Sequence, residues 1–251
     1  MSSQNNSSTL IEQLFAAGAH FGFKKSRRHP TVSKFLFTTK DGNDIFDLEK
    51  TSAALTTVME VVQTAAMNGK TILFVGTKEE IAKLVMDAAL RTDMPYVTNR
   101  WIGGMLTNVS EIKKRINRLA TLTQERESGE LERKYTKKER VVIGREVDKL
   151  THNFSGIAAM TKAPDYMVVV DPRHDHIAVR EAIEMNVPVI GISSSDGDLS
   201  KVTHPIVVND ALQTSVSFVL SQITLAINTG KAAYTPKTVE AKTTPRRTTS
   251  A

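Results

Sequence analysis

The chain has 251 residues, enough for one large domain or for a main domain with a smaller second one. Its 33 lysines and arginines against 27 aspartates and glutamates give a formal net charge of +6, which favours a polyanionic partner. The lack of cysteine excludes disulfides, thiol nucleophiles and cysteine zinc sites. The sequence shows neither a secretory pattern nor a membrane-length apolar run, so we expect a cytoplasmic protein without a membrane partner.

The first part of the chain predicts a helix followed by a β-hairpin. Residues 1–8 are rich in serine and asparagine, and we expect them to be disordered. From Thr9 the pattern is helical, because Thr9 and Glu12 have capping-box spacing. Residues 35–37 and 45–46 are apolar segments on either side of an Asp-Gly turn, and they predict the hairpin.

Strands and helices alternate through most of the remaining chain. Residues 71–75 form an unbroken apolar run, as expected of a parallel strand that is covered on both faces. Further strands are predicted over 166–170, 187–192 and 206–208, and helices over 47–68, 77–91, 174–186 and 211–228. The predicted fold class is therefore α/β, an open, mostly parallel sheet with helices on both faces.

The segment around residues 109–157 interrupts this alternation. Apolar residues recur at spacings of three and four in two stretches, which predicts two antiparallel helices with a shared seam, and Thr136 and Glu139 offer a capping box for the second helix. We therefore divide the chain into a sheet domain over 9–106 and 158–229 and a helical hairpin over 107–157. Residues 230–251 hold Thr, Pro, Lys and Arg, and we expect a disordered basic tail.

Two strand ends carry residues that suit catalysis. Gly76-Thr77-Lys78 lies where a phosphate-binding loop would lie, but the alternative is a helix start that Thr77 caps with Glu80. Residues 171–176 combine two aspartates and two histidines, which suit a metal or acid–base chemistry. Their alternative role is support of a helix N-terminus, and the serines at 193–195 are best interpreted as a turn.

A basic loop is the clearest candidate for binding a polyanion. Lys24, Lys25, Arg27 and Arg28 follow one another without an acidic residue between them and are flanked by phenylalanine. Such a loop suits phosphate contacts, and the alternative is a merely solvated loop.

Four motifs identify a family. They are 17–22 (AGAHFG), 72–78 (ILFVGTK), 100–108 (RWIGGMLTN), and Pro164-Asp165 followed by 171–189. In this order and separation they closely resemble the bacterial S-two family of small-subunit ribosomal proteins, from about residue 9 to residue 228. The resemblance implies a flavodoxin-like α/β domain with an inserted helical hairpin and no catalytic activity. It further implies a structural constituent that binds rRNA between head and body and supports attachment of the neighbouring S-one protein.

Some positions depart from the family pattern. After His20-Phe21-Gly22 the family commonly has a histidine and later an aromatic-Asn-Pro, whereas this chain has Phe23 and Arg28-His29-Pro30. We therefore expect arginine to make contacts in the rRNA-facing loop. The Asp-Pro pair that usually follows the fifth strand is Asp196-Gly197 here. These departures weigh against any ion that family members hold between these loops.

The sequence thus predicts a ribosomal protein that binds small-subunit rRNA and neighbouring ribosomal proteins. The predicted rRNA-binding residues are Lys24, Lys25, Arg27, Arg28, Lys34, Arg100, Lys113 and Lys114. We predict no catalytic residue, metal, cofactor or small-molecule substrate. Two alternatives remain at this point: a cytosolic α/β enzyme acting on a phosphorylated small molecule, and a coiled-coil adaptor that binds only proteins.

Overall fold

The computed structural model describes residues 2–160 and 162–234, and for residues 2–8 only the backbone. The chain opens with a helix and a three-stranded antiparallel sheet of order β1-β3-β2. These elements are α1 (Ser2–Ala16), β1 (Phe21–Lys24), β2 (Leu36–Lys40) and β3 (Asn43–Phe46). Because α1 begins at Ser2, the prediction of disorder over residues 1–8 is wrong for residues 2–8. Helix nucleation is the unfavourable step, and extension adds one hydrogen bond for each residue. A helix that has formed in the apolar segment after residue 8 can therefore extend through the polar residues before it.

The second sheet has five parallel strands and carries most of the fold. After α2 (Leu48–Met67) come β4 (Ile72–Val75), α3 (Glu79–Arg91), β5 (Tyr96–Val97), α4 (Val109–Glu127), α5 (Glu130–Lys134), α6 (Lys137–Phe154), β6 (Tyr166–Val170), α7 (His176–Glu184), β7 (Val189–Ser193), β8 (His204–Val207) and α8 (Gln213–Ala232). The strand order is β5-β4-β6-β7-β8. Renumbered from β4, this is the 2-1-3-4-5 order of flavodoxin-like folds, so the predicted fold class is confirmed.

The apolar strands bury both of their faces, as the unbroken run in β4 predicted. One face packs against α2, α3 and α8, and its core includes Ile72, Phe74, Val168, Ile190, Leu55, Val85 and Ile223. The opposite face packs against α7 and the base of α4 and α6, and its core includes Leu73, Val75, Met167, Val169, Val179, Ile112 and Phe154. The sheet is therefore covered by one layer of helices on each face.

Helices α4 and α6 pack against each other beyond the sheet. Leu122, Leu131, Ile143 and Val147 form a separate apolar cluster there. Thr136 and Glu139 make the reciprocal hydrogen bonds of a capping box at the start of α6, as the sequence predicted. Short helix α5, which the sequence did not predict, follows the turn at Gly129, whose φ of 73° favours glycine.

The carboxyl-terminal helix α8 extends to Ala232, so the prediction that the disordered tail begins at residue 230 is wrong for residues 230–232. A Cβ on Gly230 would lie 2.3 Å from the Gln63 carbonyl oxygen, so glycine lets α8 approach α2 closely there. The rest of the predicted tail, residues 235–251, lies outside the described residues. Within residues 2–160 and 162–234, no helix combines the length and the apolar character that a membrane span needs.

Candidate nucleic-acid interface

The basic loop leaves the small sheet at the end of β1 and is anchored to the large one. The Phe23 N–H donates to Ser195 Oγ at 3.0 Å, and the His29 N–H donates to the Ser195 carbonyl at 2.8 Å. Ser195 is fully buried and follows β7 closely. Between these two anchors the chain forms a 3-10 turn over Lys25–Arg27. The backbone that carries the basic side chains is therefore held at both ends by the rigid parallel sheet.

Arg28 does not share the exposure of its neighbours. Its guanidinium donates to both carboxylate oxygens of Asp44, through Nε at 2.9 Å and through a shorter contact from Nη2, and it also reaches Thr39 Oγ1 at 2.7 Å. Asp44 is fully buried. The hydrogen bonds from Arg28 hold the pKa of the Asp44 carboxyl below its ordinary value, and they raise the pKa of Arg28.

The expectation that the basic loop has no acidic partner is therefore wrong for Arg28. The acid comes from β3, sixteen residues along the chain, and the loop's local sequence gives no indication of it. Arg28 keeps 21% of its side-chain exposure and ties the loop to the hairpin through the buried Asp44, and the bidentate bond suits its planar guanidinium.

Lys24, Lys25 and Arg27 remain exposed. Among the described residues, Lys24 and Lys25 form no ion pair within 4.0 Å. Arg27 lies 4.0 Å from Asp196 and stacks over the Phe23 ring at 4.9 Å, while its side chain keeps 57% of its exposure. An exposed pair of this length contributes little energy. These three cations can therefore turn to an outside anion at small cost.

The other predicted contacts lie on separate elements. Lys34 is exposed on the 3-10 helix Pro30–Phe35, over the Phe35 ring at 5.3 Å. Lys113 and Lys114 are exposed on α4, and Lys114 Nζ lies 2.6 Å from Glu111. Arg100 is exposed beside a cavity of about 270 Å³ that residues of the basic loop do not line. The structure thus brings together the loop cations, whereas Arg100 and the α4 lysines belong to other elements.

The crevice at the carboxyl ends of β4 and β6 is where this fold binds ligands in enzymes. Here its polar groups bind one another. The Lys78 ammonium contacts Asp171 and lies 3.9 Å from Asp210, while Thr77 donates through N–H and Oγ1 to Asp175 at 3.1 and 2.6 Å. Lys78 rather than Thr77 is the N-cap residue of α3, so the predicted Thr77 cap is wrong. Thr77 instead joins β4 to the start of α7.

Burial shifts the protonation of these crevice groups. It raises the pKa of Asp175 against the hydrogen bonds from Thr77, and it raises that of Asp210 to about 7, with a further contribution from the Asp171 charge. Burial alone would lower the pKa of Lys78, but the charges of Asp210 and Asp171 raise it. The polar groups of the crevice are thus held by one another inside the fold.

The same cluster does not suit a metal ion. An ammonium already lies against Asp171. In the described part of the chain, no group of three or more histidines, aspartates or glutamates has the geometry to hold a metal. The serines at 193–195 are buried, and Ser195 Oγ accepts the Phe23 N–H, so these serines serve the turn rather than nucleophilic attack.

Glu181 is a heavily hydrogen-bonded carboxylate of the second core, and its role was not predicted from the sequence. It is 7% exposed and accepts hydrogen bonds from Trp101 Nε1 at 3.1 Å, Gly104 N–H at 2.8 Å, Leu106 N–H at 3.0 Å, and both N–H and Oγ1 of Thr107 at 3.3 Å. Through these bonds α7 fixes the segment that leads into α4. The available signal was a glutamate three residues after Ala178, a spacing that places both on one face of the predicted helix.

The chain is similar to known proteins over most of its length. The family model described as Ribosomal protein S2 matches residues 14–230. The small ribosomal subunit protein uS2 of Sulfurimonas denitrificans is 39% identical over 222 residues, covering 88% of this chain and 85% of that protein. The uS2c protein of Emiliania huxleyi is 37% identical over 224 residues, or 89% and 97% of the two chains. The uS2 protein of Fusobacterium nucleatum is 39% identical over 220 residues, or 88% and 89%.

These relatives carry the names of ribosomal proteins and not of enzymes. Since the family model covers most of the chain and the relatives match it over nearly nine-tenths of its length, the chain belongs to the ribosomal protein S2 family.

Proposed function

We propose that this protein is a structural constituent of the small ribosomal subunit in the cytoplasm and that it binds small-subunit rRNA through the exposed cations of the basic loop. Lys24, Lys25 and Arg27 are the central contacts, and Lys34 extends them. The observation that carries the proposal is a backbone anchored at Phe23 and His29 that presents exposed cations on a rigid sheet. Such groups neutralise phosphates and release condensed counterions.

Arg100, Lys113 and Lys114 belong to the proposal as separate contacts with the same rRNA. Their exposure supports it, and because they lie on elements other than the loop, a folded RNA would have to reach several elements at once. Phosphate contacts of this kind position the protein, and the shape of the RNA supplies specificity. Arg28 is left out, because Asp44 already holds its guanidinium.

We further propose that residues 107–157 form a hairpin domain distinct from the sheet domain over 9–106 and 158–229. The separate apolar cluster of α4, α5 and α6 supports this division. From the family resemblance we also propose that the protein lies between the head and the body of the small subunit. In the same way we propose that it supports attachment of the neighbouring S-one protein. Chemical cross-linking within isolated small subunits tests these placements, and a lack of cross-links to that protein would remove it from the proposal.

The test of rRNA binding is the salt dependence of affinity for small-subunit rRNA. The Lys24→Gln/Lys25→Gln variant should lower the log–log salt slope by roughly 0.7–0.9 for each phosphate that is no longer neutralised. The matched control is Lys83→Gln/Arg91→Gln, which removes two exposed cations from α3. An unchanged slope in the loop variant, or an equal fall in the control, would show that the loop is only solvated.

A further inference from the structure

A cavity lies at the end of the parallel sheet opposite the crevice and the basic loop. It measures about 670 Å³ and is bordered by the residues that precede β4 and β5, the carboxyl-terminal ends of α2, α3 and α8, and the segment after α6. Its volume falls within the range of about 300–1,000 Å³ that ligand sites occupy. Leu90, Met94 and Met160 give it apolar walls. Neither the predicted rRNA contacts nor the crevice residues belong to it.

The rim of this cavity carries aromatic rings and lysines. Tyr234 is 46% exposed, and its ring lies over Gly69, where a Cβ would come within 2.8 Å of Cε2. Lys70 Nζ lies over the Tyr166 ring at 5.5 Å. Lys162 keeps 65% of its side-chain exposure, with Asp165 at 3.4 Å. Rings and ammonium groups therefore stand side by side at an open surface.

The charge at this rim favours an anionic partner. Three lysines, Lys70, Lys162 and Lys231, line the cavity with one acid, Asp93. Lys231 is engaged, since its ammonium donates to the carbonyl oxygens of Thr92 and Asp93. Lys162 is paired with Asp165, but an exposed pair contributes little energy, so Lys70 and Lys162 are the cations that can turn to a partner. An apolar peptide would leave these cations without a partner.

We propose that this cavity is a second RNA-binding surface, which takes unpaired nucleotides of a single-stranded segment. Tyr234 stacks on a base, and Lys70 and Lys162 contact the flanking phosphates. Bases on aromatic side chains beside a basic groove are the usual combination for single strands. The proposal rests on the proposed function in one respect, because the rRNA of the small subunit is the strand that the protein would meet.

The test uses the full chain and a labelled 12-nucleotide oligouridine, with binding followed by fluorescence anisotropy across a salt series. Lys70→Gln/Lys162→Gln should reduce the log–log salt slope by about 1.4, which is 0.7 for each phosphate of single-stranded RNA that the two lysines neutralise. Tyr234→Ala should weaken binding about fivefold or more, while Tyr234→Phe, which keeps the ring, should bind as the wild type does. Lys83→Gln/Lys138→Gln, which removes two exposed cations away from the cavity, is the charge-matched control, and circular dichroism melts check that each variant is folded.

Equal affinity and slope for the wild type, Lys70→Gln/Lys162→Gln and Tyr234→Ala would overturn the inference. So would tighter binding of polyglutamate of the same length, since the surface would then suit an acidic protein. Lys24→Gln/Lys25→Gln, measured in parallel on small-subunit rRNA, separates the two proposals. Loss of rRNA binding in that variant with no effect at Tyr234 leaves the function and removes the second surface. The reverse pattern removes the loop contacts and keeps the second surface.

Discussion

Removing the Glu181 carboxylate tests how the sheet domain holds the segment that leads into α4. In Glu181→Ala, Trp101 Nε1 and the N–H groups of Gly104, Leu106 and Thr107 lose their shared acceptor. Buried donors without a partner cost about 1–3 kcal/mol each, but water and local rearrangement recover part of this sum. Because four residues lose a charged acceptor and part of the cost is recovered, we expect Glu181→Ala to lower the free energy of unfolding by about 3–5 kcal/mol in total.

Thermal and urea unfolding followed by circular dichroism measure this loss. For a chain of this size, about 3–5 kcal/mol corresponds to a fall in Tm of roughly 6–20 °C. Glu181→Gln is the matched variant, because it keeps the shape and one carbonyl acceptor but loses the charge, and we expect about half the effect. If both variants unfolded within about 0.5 kcal/mol of the wild type, Glu181 would not hold the segment.

The pH dependence of the same carboxylate follows from its pKa. Burial alone would raise the pKa of Glu181, but the hydrogen bonds from Gly104, Leu106, Trp101 and Thr107 outweigh burial and lower it. A lowered pKa in the folded state means that the stabilisation is present above the pKa of the unfolded chain. It is lost as the pH falls through the lower folded-state value, and Glu181→Ala should remove this part of the acid dependence.

Three further substitutions test other parts of the account. Arg28→Ala should cost about 3 kcal/mol of unfolding free energy because it leaves a buried carboxylate unpaired, whereas Lys24→Ala should stay within about 0.5 kcal/mol of the wild type, as urea unfolding will measure. Leu150→Asp places a carboxylate at a position that is 8% exposed and should speed limited proteolysis of α4 and α6, whereas Lys149→Ala on the exposed face should not. Asp210→Asn should flatten the pH dependence of unfolding between about pH 4 and pH 7.

The sign for Asp210 follows from its pKa of about 7, which burial raises above the ordinary value. Between the two pKa values the folded chain binds the extra proton, so the wild type should lose up to about 4 kcal/mol of stability as the pH rises through this window. A flat wild-type profile would contradict this reasoning. Equal unfolding of Arg28→Ala and Lys24→Ala would contradict the buried pair, and equal protection of Leu150→Asp and Lys149→Ala would contradict the seam.

Local pattern was enough to predict the main strands and helices. The apolar run of β4 and the helical spacing in α4 and α6 reflect burial that the neighbouring sequence itself encodes. Strand β5 has two residues, Tyr96–Val97, and owes its place to pairing with β4, so no periodicity marks it. Short β1 escaped prediction for a similar reason.

In the candidate site too, features of neighbouring residues were predictable, whereas contacts between residues far apart in the sequence were not. The sequence alone shows that the loop is cationic. Whether each cation is free to contact an outside anion depends on acidic residues that folding places beside it. Arg28 donates to Asp44, which lies sixteen residues away in the sequence. Thr77 donates to Asp175, which lies ninety-eight residues away. Glu181 meets its partners across seventy-four to eighty residues. Such polar pairings leave no periodic mark in one sequence.

The most direct test of the central claim is sedimentation of the protein from a cell lysate on a sucrose gradient. We predict that the full chain sediments with small ribosomal subunits, that Lys24→Gln/Lys25→Gln/Arg27→Gln is depleted from that peak as salt rises, and that Lys83→Gln/Arg91→Gln is not. Recovery of the wild-type protein only in the soluble low-mass fractions would contradict the claim that it is a constituent of the small subunit.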